Sequence, residues 1–127
     1  MGIGENGHIA FNDPHVADFA DKVNVKIVGL DCFCRQQQVN EGCFASIDLV
    51  PTHALTVTIP VLLNAPYIFC MVPGCNKAKA VANTMEQEIS ERYPSTVLRT
   101  HLSAILYLDT ESAAQIKVKS KQHTETL

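Results

Sequence analysis

The apolar positions of this chain fall into short blocks separated by polar or glycine-rich connections, a pattern that alternates strands with helical stretches. Val25-Lys26-Ile27-Val28 reads as a short strand. From Cys34 to Phe44 the chain is rich in glutamine with few core positions, which predicts a polar, exposed helix. Ala54 to Ile59 is β-branched and mostly apolar and predicts another strand, followed over Pro60 to Leu63 by a helical turn with proline at an early position. Tyr67 to Val72 is the clearest apolar run and predicts a buried strand, closed by Pro73-Gly74. A helix over Lys77 to Met85, with Ala80, Val81 and Thr84 or Met85 inward, precedes a strand from Ala104 to Leu108 and a last short helix from Ser112. Two late strands joined through a helix fit a right-handed crossover, hence a layered α/β fold with a largely parallel sheet.

Composition narrows the picture. At 127 residues the chain has the length of one domain, 1–127, and with 46% hydrophobic and 18% charged residues it has material for a core. The net charge is −3, and basic residues gather only at Lys117, Lys119 and Lys121, too sparsely to track phosphates, so no nucleic-acid partner is expected. No apolar run approaches the ~20 residues of a membrane span. Met1 is followed by Gly-Ile-Gly-Glu rather than by a basic and then an apolar region, so a soluble, cytoplasmic protein is expected. Five cysteines, an odd number without a CxxC pair, suit a reducing compartment.

The chemistry concentrates near the start. A glycine-rich turn such as Gly2-Ile3-Gly4-Glu5-Asn6-Gly7 normally follows a strand, and none precedes it here. Either another chain supplies that strand or the sequence is a piece of a longer protein. The same glycines match a dinucleotide fingerprint, which also requires the preceding strand. His8 follows directly, with Glu5 and Asp13 within a few residues. A histidine held by a carboxylate is a general acid/base near neutral pH, whereas the alternative is a histidine bonded to loop backbone. His8, His15 and the Cys32–Cys34 pair are too irregularly spaced for a metal site, and none is expected. His101 reads as a structural hydrogen-bonding residue, His53 as packing near the return of the Cys34–Phe44 helix, and His15 and His123 as exposed.

Four blocks then stand out in order: Gly2-Ile3-Gly4-Glu5-Asn6-Gly7-His8-Ile9-Ala10-Phe11-Asn12-Asp13-Pro14, Leu49-Val50-Pro51-Thr52-His53-Ala54-Leu55-Thr56-Val57, Val72-Pro73-Gly74-x-x-Lys77-Ala78, and Leu98-Arg99-Thr100-His101. Together they resemble the glucosamine-6-phosphate deaminase (isomerase) family, over the second half of its domain. The resemblance implies a Rossmann-like, three-layer α/β/α fold, of which this chain carries the incomplete C-terminal half. It also implies a reaction: ring opening of an aminosugar phosphate, aldose-to-ketose isomerisation and loss of ammonia to give fructose 6-phosphate, by proton transfers that need no metal or organic cofactor.

By the same resemblance, His8 works on the ring oxygen and Asp13 holds it. The family position just before Gly-His is commonly aspartate, and here it is Asn6, whose amide orients an imidazole without stabilising its charged form. Glu5, one position earlier, is the candidate for the missing charge. Gly7, Lys77 and Arg35 are the expected substrate-binding positions. Lys77 would take the phosphate at the start of a helix, while Arg35 is the arginine nearest to the family's mobile one; a gapless alignment lands on Glu41 instead. The Cys34–Phe44 helix falls where the family carries an active-site lid.

The base that moves the C2 proton and the phosphate loop belong to the family's first half, so the isolated chain is expected to turn over little or nothing. An exposed sheet edge and apolar face would favour a homo-oligomer, unless the missing N-terminal half covers them. Two other functions compete. A 6-phosphogluconolactonase-like hydrolase shares the loop but usually continues toward Ser-Leu-Phe-Pro where this chain has Phe11-Asn12-Asp13-Pro14. A non-catalytic sugar-phosphate-binding module would account for Asn6, the missing base and the unmatched arginine.

Overall fold

A computed structural model describes residues 1–117, and its elements follow the apolar blocks. Strands β1 (Val25–Gly29) and β2 (His53–Val57) pair antiparallel, with Ile27 opposite Leu55. Strands β3 (Ile68–Val72) and β4 (Ala104–Leu108) pair parallel, with Cys70 opposite Leu106. The parallel pair is joined through helix α3 (Ala78–Glu86), whose Ala78, Ala80, Val81 and Thr84 are buried, so the late part of the chain is the expected α/β unit. Between β1 and β2 runs helix α1 (Cys32–Asn40), and after β2 the short helix α2 (Ile59–Leu63) opens with Pro60 in its first turn.

One core gathers the pieces. Ile68, Cys70 and Val72 of β3 pack with Ala80 and Val81 of α3, with Ile59, and with Val97 and Leu98 of a 3-10 turn over Pro94–Thr100. Ile3 and Ile9 belong to the same cluster, so both ends of the glycine loop between them are anchored in the core. The first residue is tied in as well. The Met1 ammonium donates to Phe69 O at 2.8 Å and Met71 N donates to Met1 O at 2.9 Å, the two bonds of a parallel bridge to β3. The loop therefore leaves a β3-paired position, the place that a glycine turn of this kind normally takes from a strand.

Several boundaries and exposures differ from the sequence expectation. Helix α1 starts two residues early because the Asp31 side chain accepts from Cys34 N at 2.7 Å, and it stops before Gly42, whose φ of +77° suits a helix exit. Strand β3 is buried on one face only: Phe69 and Met71 are exposed, as are Ile105 and Tyr107 beside them on β4, since no further layer covers that side. No helix begins at Ser112. Instead Ser112 N and Oγ bond with Asp109 to close a turn. Asp109 also accepts from Gly74 N at 2.9 Å, bracing the turn that leads from β3 to Lys77. Lys119, Lys121 and His123 lie outside the described residues. Among the described residues no helix is long and apolar enough to cross a membrane.

Candidate functional site

The glycine loop is folded by its own backbone. Gly7 N donates to Gly4 O at 2.9 Å and Gly4 N donates to His8 O at 2.9 Å, a closure that needs the positive φ of +88° at Gly7. Gly4 lies flat against the His8 imidazole, and a Cβ at position 4 would overlap the ring. Glycine is thus required at Gly4 for space and at Gly7 for backbone angle.

His8 is buried, and its Nδ1 lies 2.8 Å from Asn6 Oδ1 and 3.1 Å from Asp13 Oδ1. Two acceptors around Nδ1 call for the proton on that nitrogen, which leaves the Nε2 lone pair free. Asn6 is the hub of the arrangement. Its Oδ1 also accepts from His8 N at 3.1 Å, while its Nδ2 donates to Asp13 Oδ1 and to Asp31 Oδ2, each at 3.1 Å. Asp31 N in turn donates to Asp13 Oδ2 at 3.3 Å. Burial of the fully enclosed Asp13 pushes its carboxyl pKa up, but hydrogen bonds from His8 and Asn6 outweigh it and hold Asp13 below the usual carboxylate range. The Cys34 sulfur stands within 4.8 Å of the His8 and Asp13 ligand atoms. Burial, then the negative charges of Asp13 and Asp31, push its thiol up to about 12, so it stays protonated. Asp13 takes donors from His8 and Asn6 on one oxygen and from Asp31 N on the other, so the group is a hydrogen-bonded network centred on its carboxylate, with Nε2 of His8 outside it.

This network opens on a cavity of about 310 Å³, lined by Gly2, Gly4, His8, Gln37, Glu41 and Lys77 among others. Ala10 also lines it, in a left-handed conformation at φ 50°. His8 and Lys77, 69 positions apart in the chain, therefore share one pocket. The other expected residues do not join them. Glu5 turns its carboxylate to Asn76 Nδ2, which donates to it at 2.9 Å, rather than to His8. Arg35 spends its guanidinium on Ile47 O and Val50 O, at 2.7 and 3.1 Å, and pins the segment that follows α1. Gly7 shapes the turn without lining the cavity.

Three contributors carry no catalytic signature in the sequence. Asp31 lies just ahead of the expected Cys34–Phe44 helix, Gln37 shows only as a polar position of that helix, and Glu41 shows only as the residue that the gapless alignment puts in place of the family's arginine. Gln37 is buried all the same: its Oε1 accepts from Glu5 N at 3.0 Å and its Nε2 donates to Glu41 Oε1 at 2.7 Å. Among the described residues the remaining histidines are structural or exposed. His101 Nε2 donates to Ala65 O at 2.8 Å and its Nδ1 accepts from Ser103 N at 3.1 Å, and exposed His15 and His53 bond to Gly29 O and Thr52. A larger hollow of about 710 Å³ beside β4 is lined by Met85, Leu98 and Leu106 together with Arg99 and His101, which donate to the backbone carbonyls of Met85, Gln87 and Ala65.

The chain is 36% identical over 114 residues to glucosamine-6-phosphate deaminase 1 of Bacillus subtilis, covering 90% of this chain and 45% of that protein. It is 30% identical over 122 residues to the glucosamine-6-phosphate deaminase of Dictyostelium discoideum, covering 96% and 44%. A solved monomeric glucosamine-6-phosphate deaminase aligns with a TM-score of 0.80 at 38% identity, covering 89% of this chain and 45% of that one. The chain is related to the glucosamine-6-phosphate deaminases. It spans less than half the length of these deaminases and matches the C-terminal half of their domain. A 6-phosphogluconolactonase from Trypanosoma cruzi, 17% identical with a TM-score of 0.62 over 92% of this chain and 40% of that one, shares the fold alone. No family model matches the chain.

Proposed function

We propose that this chain provides the ring-opening part of an aminosugar-phosphate isomerase/deaminase, acting on glucosamine 6-phosphate. The observation that carries the proposal is the placement of a carboxylate-held imidazole and a lysine ammonium on one cavity. Opening the sugar ring breaks the C1–O5 bond, removes the proton of the anomeric hydroxyl and delivers one to the ring oxygen, leaving an open-chain aldehyde. His8 Nε2 takes the first proton and returns it to the ring oxygen, with the imidazolium between the two steps stabilised by Asp13. Asn6 fixes the ring so that Nδ1 keeps its proton. Such a positioned acid/base supplies roughly 10²–10⁴ in rate. Lys77 receives the 6-phosphate, and the remaining cavity wall holds the sugar.

Isomerisation and loss of ammonia require transfer of the C2 proton, and by the family resemblance the base for that step lies outside this chain. The isolated chain is therefore expected to bind glucosamine 6-phosphate and release little ammonia. The test is ammonia release from glucosamine 6-phosphate with and without the genomic upstream segment co-expressed, together with His8→Asn and Asp13→Asn variants. Activity that appears only with that segment and collapses in both variants is the expected result. Hydrolysis of 6-phosphogluconolactone by the same preparation would replace the reading with a lactonase, and phosphosugar binding without turnover in the folded, combined protein would replace it with a binding module.

A further inference from the structure

The cavity holds its cation in an unusual state. The Lys77 side chain is only 12% exposed, yet its nearest acidic oxygen among the described residues, Glu41 Oε1, stands 3.6 Å away, longer than a hydrogen bond. Glu41 caps the C-terminal end of α1, and its side chain is 42% exposed. What aims it at Lys77 is Gln37, which grips Oε1 with Nε2 at 2.7 Å while its own Oε1 is fixed by Glu5 N at 3.0 Å. Gln37 is itself buried, so this strut is held by packing as well as by its hydrogen bonds. The carboxylate is thus presented over the ammonium by the fold, and the ion pair, long and half in water, contributes little to holding it there.

We propose that Glu41 is the specificity-determining residue of the cavity: it serves as an internal counter-anion to Lys77, so that an anionic ligand binds by exchanging with it. This rests on the reading of Lys77 as the phosphate position. A phosphate monoester brings two negative charges and three acceptor oxygens to three ammonium donors, and it outcompetes a single, imperfectly placed carboxylate. A ligand ending in a carboxylate offers no such advantage and is excluded by the repulsion of Glu41. The same exchange frees Glu41 from Lys77 and leaves α1 attached to the loop through Gln37 and Glu5, so ligand binding reports at the end of α1 without detaching the helix.

The experiment is a titration of the full chain with inorganic phosphate, glucosamine 6-phosphate and acetate, followed by amide chemical shifts around Lys77 and Glu41, for the natural protein, Glu41→Gln and Lys77→Met. Glutamine keeps the length of the side chain and an oxygen for Gln37, and position 41 is exposed, so the variant folds. The expected result is phosphate and glucosamine 6-phosphate affinity about three- to tenfold tighter in Glu41→Gln, with acetate competing measurably in that variant only, and binding lost in Lys77→Met. Unchanged or weaker phosphate affinity in Glu41→Gln, with binding lost in Lys77→Met, overturns the role of Glu41 and leaves the proposed function standing. Undiminished binding in Lys77→Met, or no binding in any of the proteins, overturns the phosphate role of Lys77 and this proposal with it.

Discussion

At Gly4 the absence of a single carbon atom decides whether His8 can occupy its place. Any β-carbon there overlaps the imidazole, and the ring is boxed by Asn6 and Asp13 on its Nδ1 side, so it has no lateral room to yield. Gly4→Ala is expected to expel the imidazole and, in the complete catalytic system, to cost at least the ~10²-fold that a positioned acid/base supplies. A helical content unchanged by circular dichroism alongside that loss would separate displacement of the ring from unfolding. Asp13 gives a second expectation. Its carboxyl pKa is held down in the folded state, so between that value and about 3.9 the unfolded chain binds more protons than the folded one. The stability from Asp13 is present above about pH 4 and lost as the pH falls through the folded value, and urea melts from pH 6 to pH 2 should show a shallower acid decline for Asp13→Asn than for the natural protein. His8 and Asp13 are legible in the sequence because they sit five positions apart in one loop. Asp31 and the true direction of Glu5 are not, since their partners lie 25 and 71 positions away and only the folded chain brings them together.

Helix α1 shows how an element of weak intrinsic preference becomes part of a site. It buries only Cys34 and Gln37, which explains why its composition reads as an exposed helix. Its position is set by its ends: Asp31 caps the first turn and bonds Asn6 and Asp13, and Glu41 and Gln37 close on the glycine loop and Lys77. Asp31→Ala removes the cap and is expected to lower the unfolding free energy by about 1 kcal/mol, whereas Asp31→Ser, which keeps a cap oxygen, should recover most of that loss in the same urea titration. Strand β3 is the opposite case. Its apolar run is unmistakable in sequence, but a run of apolar residues does not say whether one face or two will be covered, and here the odd-numbered positions Phe69 and Met71 stay in water.

For the molecule as a whole, both ribbons carry an uncovered apolar side. Ile27 and Leu55 face each other across β1 and β2, and Phe69, Met71, Ile105 and Tyr107 form the outer face of β3 and β4. The antiparallel partnership of β1 with β2 had no counterpart in the local pattern, because the two segments are separated by α1 and strand pairing is a property of the assembled chain. Surface of this kind favours association. The chain alone should sediment as a concentration-dependent mixture, and Phe69→Lys combined with Tyr107→Lys should shift it toward the monomer with little change in the melting temperature, as both side chains already stand half in solvent.

The five thiols of the folded protein also divide into two kinds. Cys32, Cys43 and Cys75 are exposed, whereas Cys34 beside Asp13 and Cys70 at the centre of β3 are buried, with burial pushing their thiols up to about 12 and about 11. An alkylating reagent at neutral pH should therefore count three cysteines quickly and two only when the chain opens. The two slow ones time different events, since Cys34 is reached when α1 lifts from the glycine loop and Cys70 when the β3–β4 core parts. Mass spectrometry of a labelling time course would then give, without any substitution, separate opening rates for the wall of the pocket and for the scaffold behind it.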